Sequence, residues 1–223
     1  MRAREVLDRT HTPDRQPLEL AREAGHYVIR VSGIPLMSSA AFGSEQAMAR
    51  IAHDLLGERA HSQVLVGGLG MGFTLRAVLD TFAADACVTV AELLPSLVGY
   101  SRDVLGHLAG YPLADPRVRL HQGDVRVSIA QQRWDVILLD VDNGPDALTT
   151  AGNASLYSAA GVLRLSRALT PGGVLVIWSA FESRRFEERL RSTGLSCETR
   201  KVRARADVGK GAIHTLFVAH APS

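Results

Sequence analysis

The stretch VLVGGLGMG, residues 64–72, runs from an apolar strand straight into a glycine-rich turn. Val64, Leu65 and Val66 are apolar without alternation, the pattern of a parallel strand covered on both faces. Gly67, Gly68, Gly70 and Gly72 follow within six positions. Glycine loses more backbone entropy on folding than any other residue. Four together therefore point to positive φ or to close approach of the backbone to a ligand.

Strands and helices alternate outward from this turn. Strand 63–67 is followed by a helix over 72–82, and strand 87–92 by a helix opening at Pro95, a residue suited to a first turn. Strand 117–121 leads to Gly123-Asp124, and strand 134–140 to a loop and a helix over about 153–169. Thr170-Pro171-Gly172-Gly173 turns the chain into strand 173–178, and helix 182–193 stops at Gly194. Strands 195–203 and 212–219 close the chain with too few residues between them for a helical crossover, so they form an antiparallel hairpin. The alternation predicts an α/β fold with a Rossmann-like, doubly wound, seven-stranded sheet.

The N-terminal part reads differently. Residues 1–16 are charged and proline-flanked, a loose lead-in. Stretches 18–23 and 26–32, parted by Ala24-Gly25, predict a short β-hairpin. From Ser44, a candidate N-cap, Met48, Ile51, Ala52, Leu55 and Leu56 recur at helical spacing up to Gly57. The expected division is 1–43 for the lead-in and hairpin and 44–223 for the Rossmann-like domain.

Composition narrows the classes of function. The 223 residues are 46% hydrophobic and 22% charged, as in a soluble globular protein with a sizeable core. A net charge of +2 is too mild to argue for nucleic acid. Two cysteines, Cys87 and Cys197, suit neither a disulfide scaffold nor a zinc cluster. The eight histidines show no paired metal-ligand spacing. No apolar run spans a membrane and the first residues lack a signal-like apolar region, so a cytoplasmic location without membrane association is expected.

The glycine turn sits where doubly wound folds bind nucleotides, between the first strand of the sheet and its helix. Glu92 ends the next strand, placed to accept hydrogen bonds from ribose hydroxyls. Asp124 follows the third strand, placed either to accept from an adenine amino group or to cap a helix. Leu93 and Val125, the residues after each acid, complete the expected cofactor-binding set with Gly67, Gly68, Gly70 and Gly72. No Gly-Lys-Ser/Thr follows the glycines, which excludes a P-loop. Counting from Gly68, the third glycine of a dinucleotide fingerprint falls on Phe73, which disfavours NAD. S-adenosylmethionine or a relative fits what remains.

The succession GGLGMG, VTVAELLPSLVGYSRD, HQGDVRVSI, WDVILLDVDNGP and LYSAAGVLRLSRALTPGGVLVIW resembles the spermidine/spermine synthase family. That family is a branch of the class I S-adenosylmethionine-dependent methyltransferase fold. The resemblance covers roughly residues 18–220. It implies that Glu92 holds the ribose, Asp124 the adenine, that Asp140 stands at the catalytic strand end, and that the chain is a homodimer.

This sequence also departs from the family pattern. Aminopropyltransferases carry an aspartate within the glycine run that holds the ammonium of decarboxylated S-adenosylmethionine; the aligned residue here is Gly70. Their aspartate-serine-threonine-aspartate-proline stretch is replaced by Asp140-Val141-Asp142-Asn143-Gly144-Pro145. Their Tyr-His-Glu reads Gly43-Ser44-Glu45 after Phe42, keeping only the glutamate. The N-terminal β-domain is expected to be cut to a hairpin. An aspartate beside the donor's tail would repel the carboxylate of full S-adenosylmethionine. Charges about 4 Å apart interact by about 4 kcal/mol at an effective dielectric of about 20. Its absence at Gly70 favours S-adenosylmethionine over the decarboxylated form, with helix N-terminal amides left to bind the tail.

Methyl transfer needs a nucleophile held in line with the sulfonium carbon, and a base where the acceptor is a protonated amine. Asp140, ending an apolar strand at the crevice, is the candidate base; a turn cap is the structural alternative. Asp142 is a second candidate, equally explained by an Asx-turn. Residues 143–152 read as a loop over the site. His121, His214, Trp134, Trp178 and Tyr157 read as packing residues, and the basic run Arg200, Lys201, Arg203 and Arg205 as a solvated sheet edge. Three classes of function follow: a small-molecule methyltransferase, a polyamine aminopropyltransferase using decarboxylated S-adenosylmethionine, and a non-catalytic adenosyl-binding module.

Overall fold

The computed structural model describes residues 4–141, 144, 154–205 and 210–223. Candidate Asp142 and most of the expected loop 143–152 lie outside them.

The chain opens with four antiparallel strands, β1 (Glu5–His11), β2 (Pro17–Glu23), β3 (His26–Val31) and β4 (Ile34–Ser38), in the order β1-β2-β3-β4. The expected hairpin is its central pair. The lead-in is not loose: β1 pairs with β2 from Glu5↔Arg22 to His11↔Pro17. Its residues are nearly all exposed and held by ion pairs, including Arg22 to Glu5 at 2.8 Å, so no apolar alternation marks the strand. One face of the sheet is apolar. Leu18, Leu20 and Ile29 are buried there against Met71, Leu97, Tyr100 and Leu105 from later in the chain. Tyr100 Oη donates to Asp8 Oδ2 at 2.5 Å, fastening β1 to the same body.

Helix α1 (Gly43–Leu56) follows. Ser44 is not its N-cap. Phe42 occupies that position without a capping side-chain bond, its ring stacked on Phe73 with centroids 4.6 Å apart. Ser44 lies within the first turn, buried. Gly57 ends the helix at φ 70°, as expected.

The rest builds one seven-stranded sheet from β5 (Gln63–Gly67), β6 (Cys87–Glu92), β7 (Val118–Gln122), β8 (Trp134–Leu139), β9 (Leu169–Ser179), β10 (Ser196–Arg205) and β11 (Lys210–His220). The helices between them are α2 (Phe73–Thr81), α3 (Pro95–Arg102), α4 (Val125–Gln131), α5 (Ala154–Tyr157), α6 (Ala159–Ala168) and α7 (Arg184–Arg191). The helix expected over 153–169 is two, because Ser158 caps α6 by accepting from Gly161 N at 3.1 Å. The sheet order is β10-β11-β9-β8-β5-β6-β7. Strands β5 to β9 run parallel, and β11 is antiparallel to both neighbours. The fold is the doubly wound class I arrangement.

Val64, Leu65 and Val66, Val136 to Leu139, and Val174 to Ile177 are all buried. Burying each such side chain contributes about 1.5–3 kcal/mol. One half of the core faces α1 and α2, the other α4 and α6. The winding reverses between β5 and β8, and ligands of such sheets bind at this reversal, beyond the carboxyl ends of the strands. Gly67 and Leu139 are register partners there, so the glycine turn and Asp140 leave adjacent strand ends.

Candidate active site

Asp140 N–H donates to Gly67 O at 2.8 Å, continuing the β5–β8 ladder one residue past the strand. The turn then passes directly over it. Gly68 has φ +90°, and a Cβ there would lie 2.2 Å from Asp140 O. Only glycine allows this approach. Gly67 is packed by the side chains of Leu139 and Val125, and Gly72 immediately precedes α2.

Gly70, at φ +52°, faces β4 of the N-terminal sheet. A Cβ there would lie 3.5 Å from Met37 Sδ. The residue opposite the turn is thus a thioether, and the small sheet reaches the turn through it.

Glu92 ends β6 and is buried. Its Oε2 accepts from Leu69 N at 2.9 Å and from Gly70 N at 3.4 Å, and its Oε1 accepts from Leu94 N at 2.7 Å. Burial raises its pKa, and these amides counter the rise. Glu92 therefore shapes the glycine turn itself. The turn amides at Leu69 and Gly70 are committed to it, while the first-turn amides of α2 have no partner within the helix. Leu93 beside it is 57% exposed, an apolar platform of the kind a base can cover.

Asp124 caps α4, accepting from Arg126 N at 2.8 Å. The Arg126 guanidinium also closes on the carboxylate, with Nε 2.8 Å from Oδ2, and holds its pKa below the usual range. Arg126 also donates to Ser155. The capping role is the one its contacts show, and an adenine amino group reaching Asp124 must share it with Arg126. Val125 is buried under the turn.

Asp140 stands half-buried at the end of β8, its Oδ2 accepting from Thr74 Oγ1 of α2 at 3.1 Å. Glu45, half-buried in the first turn of α1, is close enough for the Asp140 charge to act on it. Burial raises the pKa of both, and Asp140 adds to the rise at Glu45. Two acids with raised pKa values therefore meet beside the glycine turn, on α1 and β8. Sequence reading singled out Asp140. It kept Glu45 only as a remnant of a motif, and it missed Thr74 and Met37, which no local spacing connects to the turn.

Several residues read as packing are so placed. Trp134 and Tyr157 are buried in the core, and β10, carrying the basic run, is a sheet edge. Arg200 pairs with Glu198, and Lys201 with Glu182. Among the described residues no helix is long and apolar enough to cross a membrane.

Sheet order, glycine turn and strand-end acids together define a class I methyltransferase-like fold. Spermidine synthases are among the solved structures similar to this chain. One from Thermotoga maritima is 17% identical, with a TM-score of 0.75 over 97% of this chain and 72% of the other. A spermidine synthase in complex with the transition-state analogue AdoDATO is 16% identical, with a TM-score of 0.74 over the same shares, 97% and 72%. A probable spermidine synthase from Corynebacterium glutamicum is 17% identical, with a TM-score of 0.63 over 99% of this chain and 81% of the other. At this level of identity the likeness is one of fold. The sequence matches no family model and no curated protein sequence.

Proposed function

We propose that this chain is an amine alkyltransferase that takes its group from an S-adenosyl sulfonium donor, and that the group is a methyl. The observation that carries the reading is the convergence of Glu45 and Asp140 beside the glycine turn. A bound ammonium relieves the repulsion within such a pair, and a carboxylate there can take the proton that an amine must lose before it attacks.

The donor, when bound, supplies a carbon open to in-line attack. The glycine turn offers it a close backbone surface, and Leu93 offers its base an apolar platform. Asp140, steadied by Thr74, and Glu45 form the carboxylate pair that takes the amine's proton, one becoming a neutral carboxyl while the other stays ionised. Methyl rather than aminopropyl is favoured by Gly70, which faces Met37 and carries no carboxylate to hold an isolated ammonium.

Aminopropyl transfer from decarboxylated S-adenosylmethionine is the second reading. Two observations favour it: the N-terminal sheet has four strands rather than two, and spermidine synthases are among the solved structures of similar fold. Incubating the protein with each donor and a set of primary amines, with mass detection of products, tests both. Methylated amine supports the first reading, aminopropylated amine replaces it with the second, and no product with either donor removes both.

A further inference from the structure

Glu45 is joined to a second group of side chains that the reaction proposed above does not use. Ser44, buried in the first turn of α1, donates to Glu45 Oε2 at 2.7 Å. The Ser44 hydroxyl oxygen, Oγ, also lies 3.0 Å from Nδ1 of His214 on β11. Trp178 Nε1, at the end of β9, donates to that Nδ1 at 3.1 Å. All three sit where α1 crosses the carboxyl end of β9, on the face that carries Leu216 and Val202.

Donor inventory settles the roles. An indole nitrogen only donates. His214 Nδ1 is therefore an acceptor, and the ring's proton is on Nε2. Burial favours this neutral form by lowering the pKa of His214. Ser44 has one proton and two acceptors within reach. With Glu45 ionised, the hydroxyl turns to the carboxylate. With Glu45 neutral, the carboxyl O–H donates to Ser44 Oγ, and the hydroxyl turns to His214, sharing the Nδ1 acceptor with Trp178 Nε1–H in a three-centre bond.

We propose that Ser44 and His214 are positioning residues that ready Glu45 to take up a proton, by giving the Ser44 hydroxyl an acceptor in each charge state of Glu45. The role in catalysis rests on the amine reading above. An ammonium beside two carboxylates becomes an amine beside one carboxyl and one carboxylate. An N–H bond breaks, an O–H bond forms, and the net charge is unchanged. The groups facing Glu45 are Asp140 from β8, Ser44 on its own helix and, through Ser44, His214 from β11. Lys201, near this hairpin, is committed to Glu182 at 2.6 Å.

The test is a titration of the Glu45 carboxyl by carbon-13 NMR in the ligand-free protein, so its outcome does not depend on any enzyme activity. His214→Phe should lower the Glu45 midpoint by about half to one pH unit, because Ser44 is left with Glu45 as its acceptor. His214→Asn, whose amide oxygen replaces Nδ1, should keep the wild-type midpoint. In a Ser44→Ala background His214→Phe should move nothing, since the coupling passes through Ser44. His214→Leu serves in place of a phenylalanine variant that fails to fold. A midpoint unmoved by His214→Phe, an equal shift with and without Ser44, or a His214 tautomer protonated at Nδ1 overturns the proposal. If the shifts appear but no amine is alkylated, the relay stands and the reading of the reaction falls.

Discussion

Thr74 Oγ1 donates to Asp140 Oδ2 across 3.1 Å, tying the first turn of α2 to the end of β8. One carboxylate oxygen is thereby fixed, and the acid is held at the point where the glycine turn crosses the strand. In the proposed reaction a residue so placed acts on the acceptor and only indirectly on the donor. Asp140→Asn should keep donor affinity within a few-fold while slowing turnover by about 10²-fold or more. Turnover near the wild-type rate would leave Asp140 a structural cap.

The two raised pKa values make a prediction about stability. Asp140 is pushed up to about 6 and Glu45 to about 7, against about 3.9 and 4.3 when unfolded. Between the unfolded and folded values the native chain holds more protons than the unfolded one. Stability therefore falls as pH rises through that window, by at most about 1.4 kcal/mol per pH unit for each extra proton. Above the folded values the loss is complete. Asp140→Asn removes one of the two groups and should flatten the profile. Urea unfolding at pH 5 and pH 8 measures it, and a stability difference between variant and wild type that is the same at both pH values would contradict the burial of charge.

Glycine at position 68 is a steric necessity. Gly68→Ala brings a Cβ to 2.2 Å from Asp140 O at φ +90°, and should cost about 3 kcal/mol or more. Gly33→Ala is the control: at φ +80° nothing lies within 4 Å, so only the backbone cost of about 1–2 kcal/mol applies. Chemical denaturation of both variants reads the difference. Equal losses would mean that the turn does not pass over Asp140 as described.

Glu92 shapes the glycine turn, and in the proposed reaction it also holds the donor; one substitution tests both roles. Glu92→Ala strips acceptors from the amides of Leu69 and Leu94, which should destabilise the chain by about 1–3 kcal/mol. Donor affinity should fall by about 1.5–3 kcal/mol as well, the scale of hydrogen bonds to a charged acceptor. Calorimetry on the folded variant decides. Unchanged affinity for S-adenosylhomocysteine would restrict Glu92 to shaping the turn.

Much of this architecture is legible in the sequence because the runs Val64–Val66 of β5, Val136–Leu139 of β8 and Val174–Ile177 of β9 are buried on both faces and apolar. The turn is legible because only glycine permits its path over Asp140. What is hidden has a common cause. Strand β1 is held by ion pairs such as Arg22 to Glu5, which leave no apolar periodicity. The pairing of Asp124 with Arg126 competes with the ligand role that its position suggests, and spacing alone does not rank the two. Glu45 and Asp140, and Ser44 and His214, meet only because α1 lies across β8, β9 and β11. Sequence proximity carries no trace of such contacts.

Donor choice tests the account most directly, because the reaction follows from it. Gly70 faces the Met37 thioether and not a carboxylate, so a zwitterionic tail should be accepted without repulsion. Calorimetric titration of the unaltered protein should show tighter binding of S-adenosylmethionine than of decarboxylated S-adenosylmethionine. Gly70→Asp should weaken the first more than the second. The steric cost at positive φ falls on both ligands and cancels in the four-way comparison. Tighter binding of the decarboxylated form by the unaltered protein would contradict methyl transfer and make aminopropyl transfer the reaction.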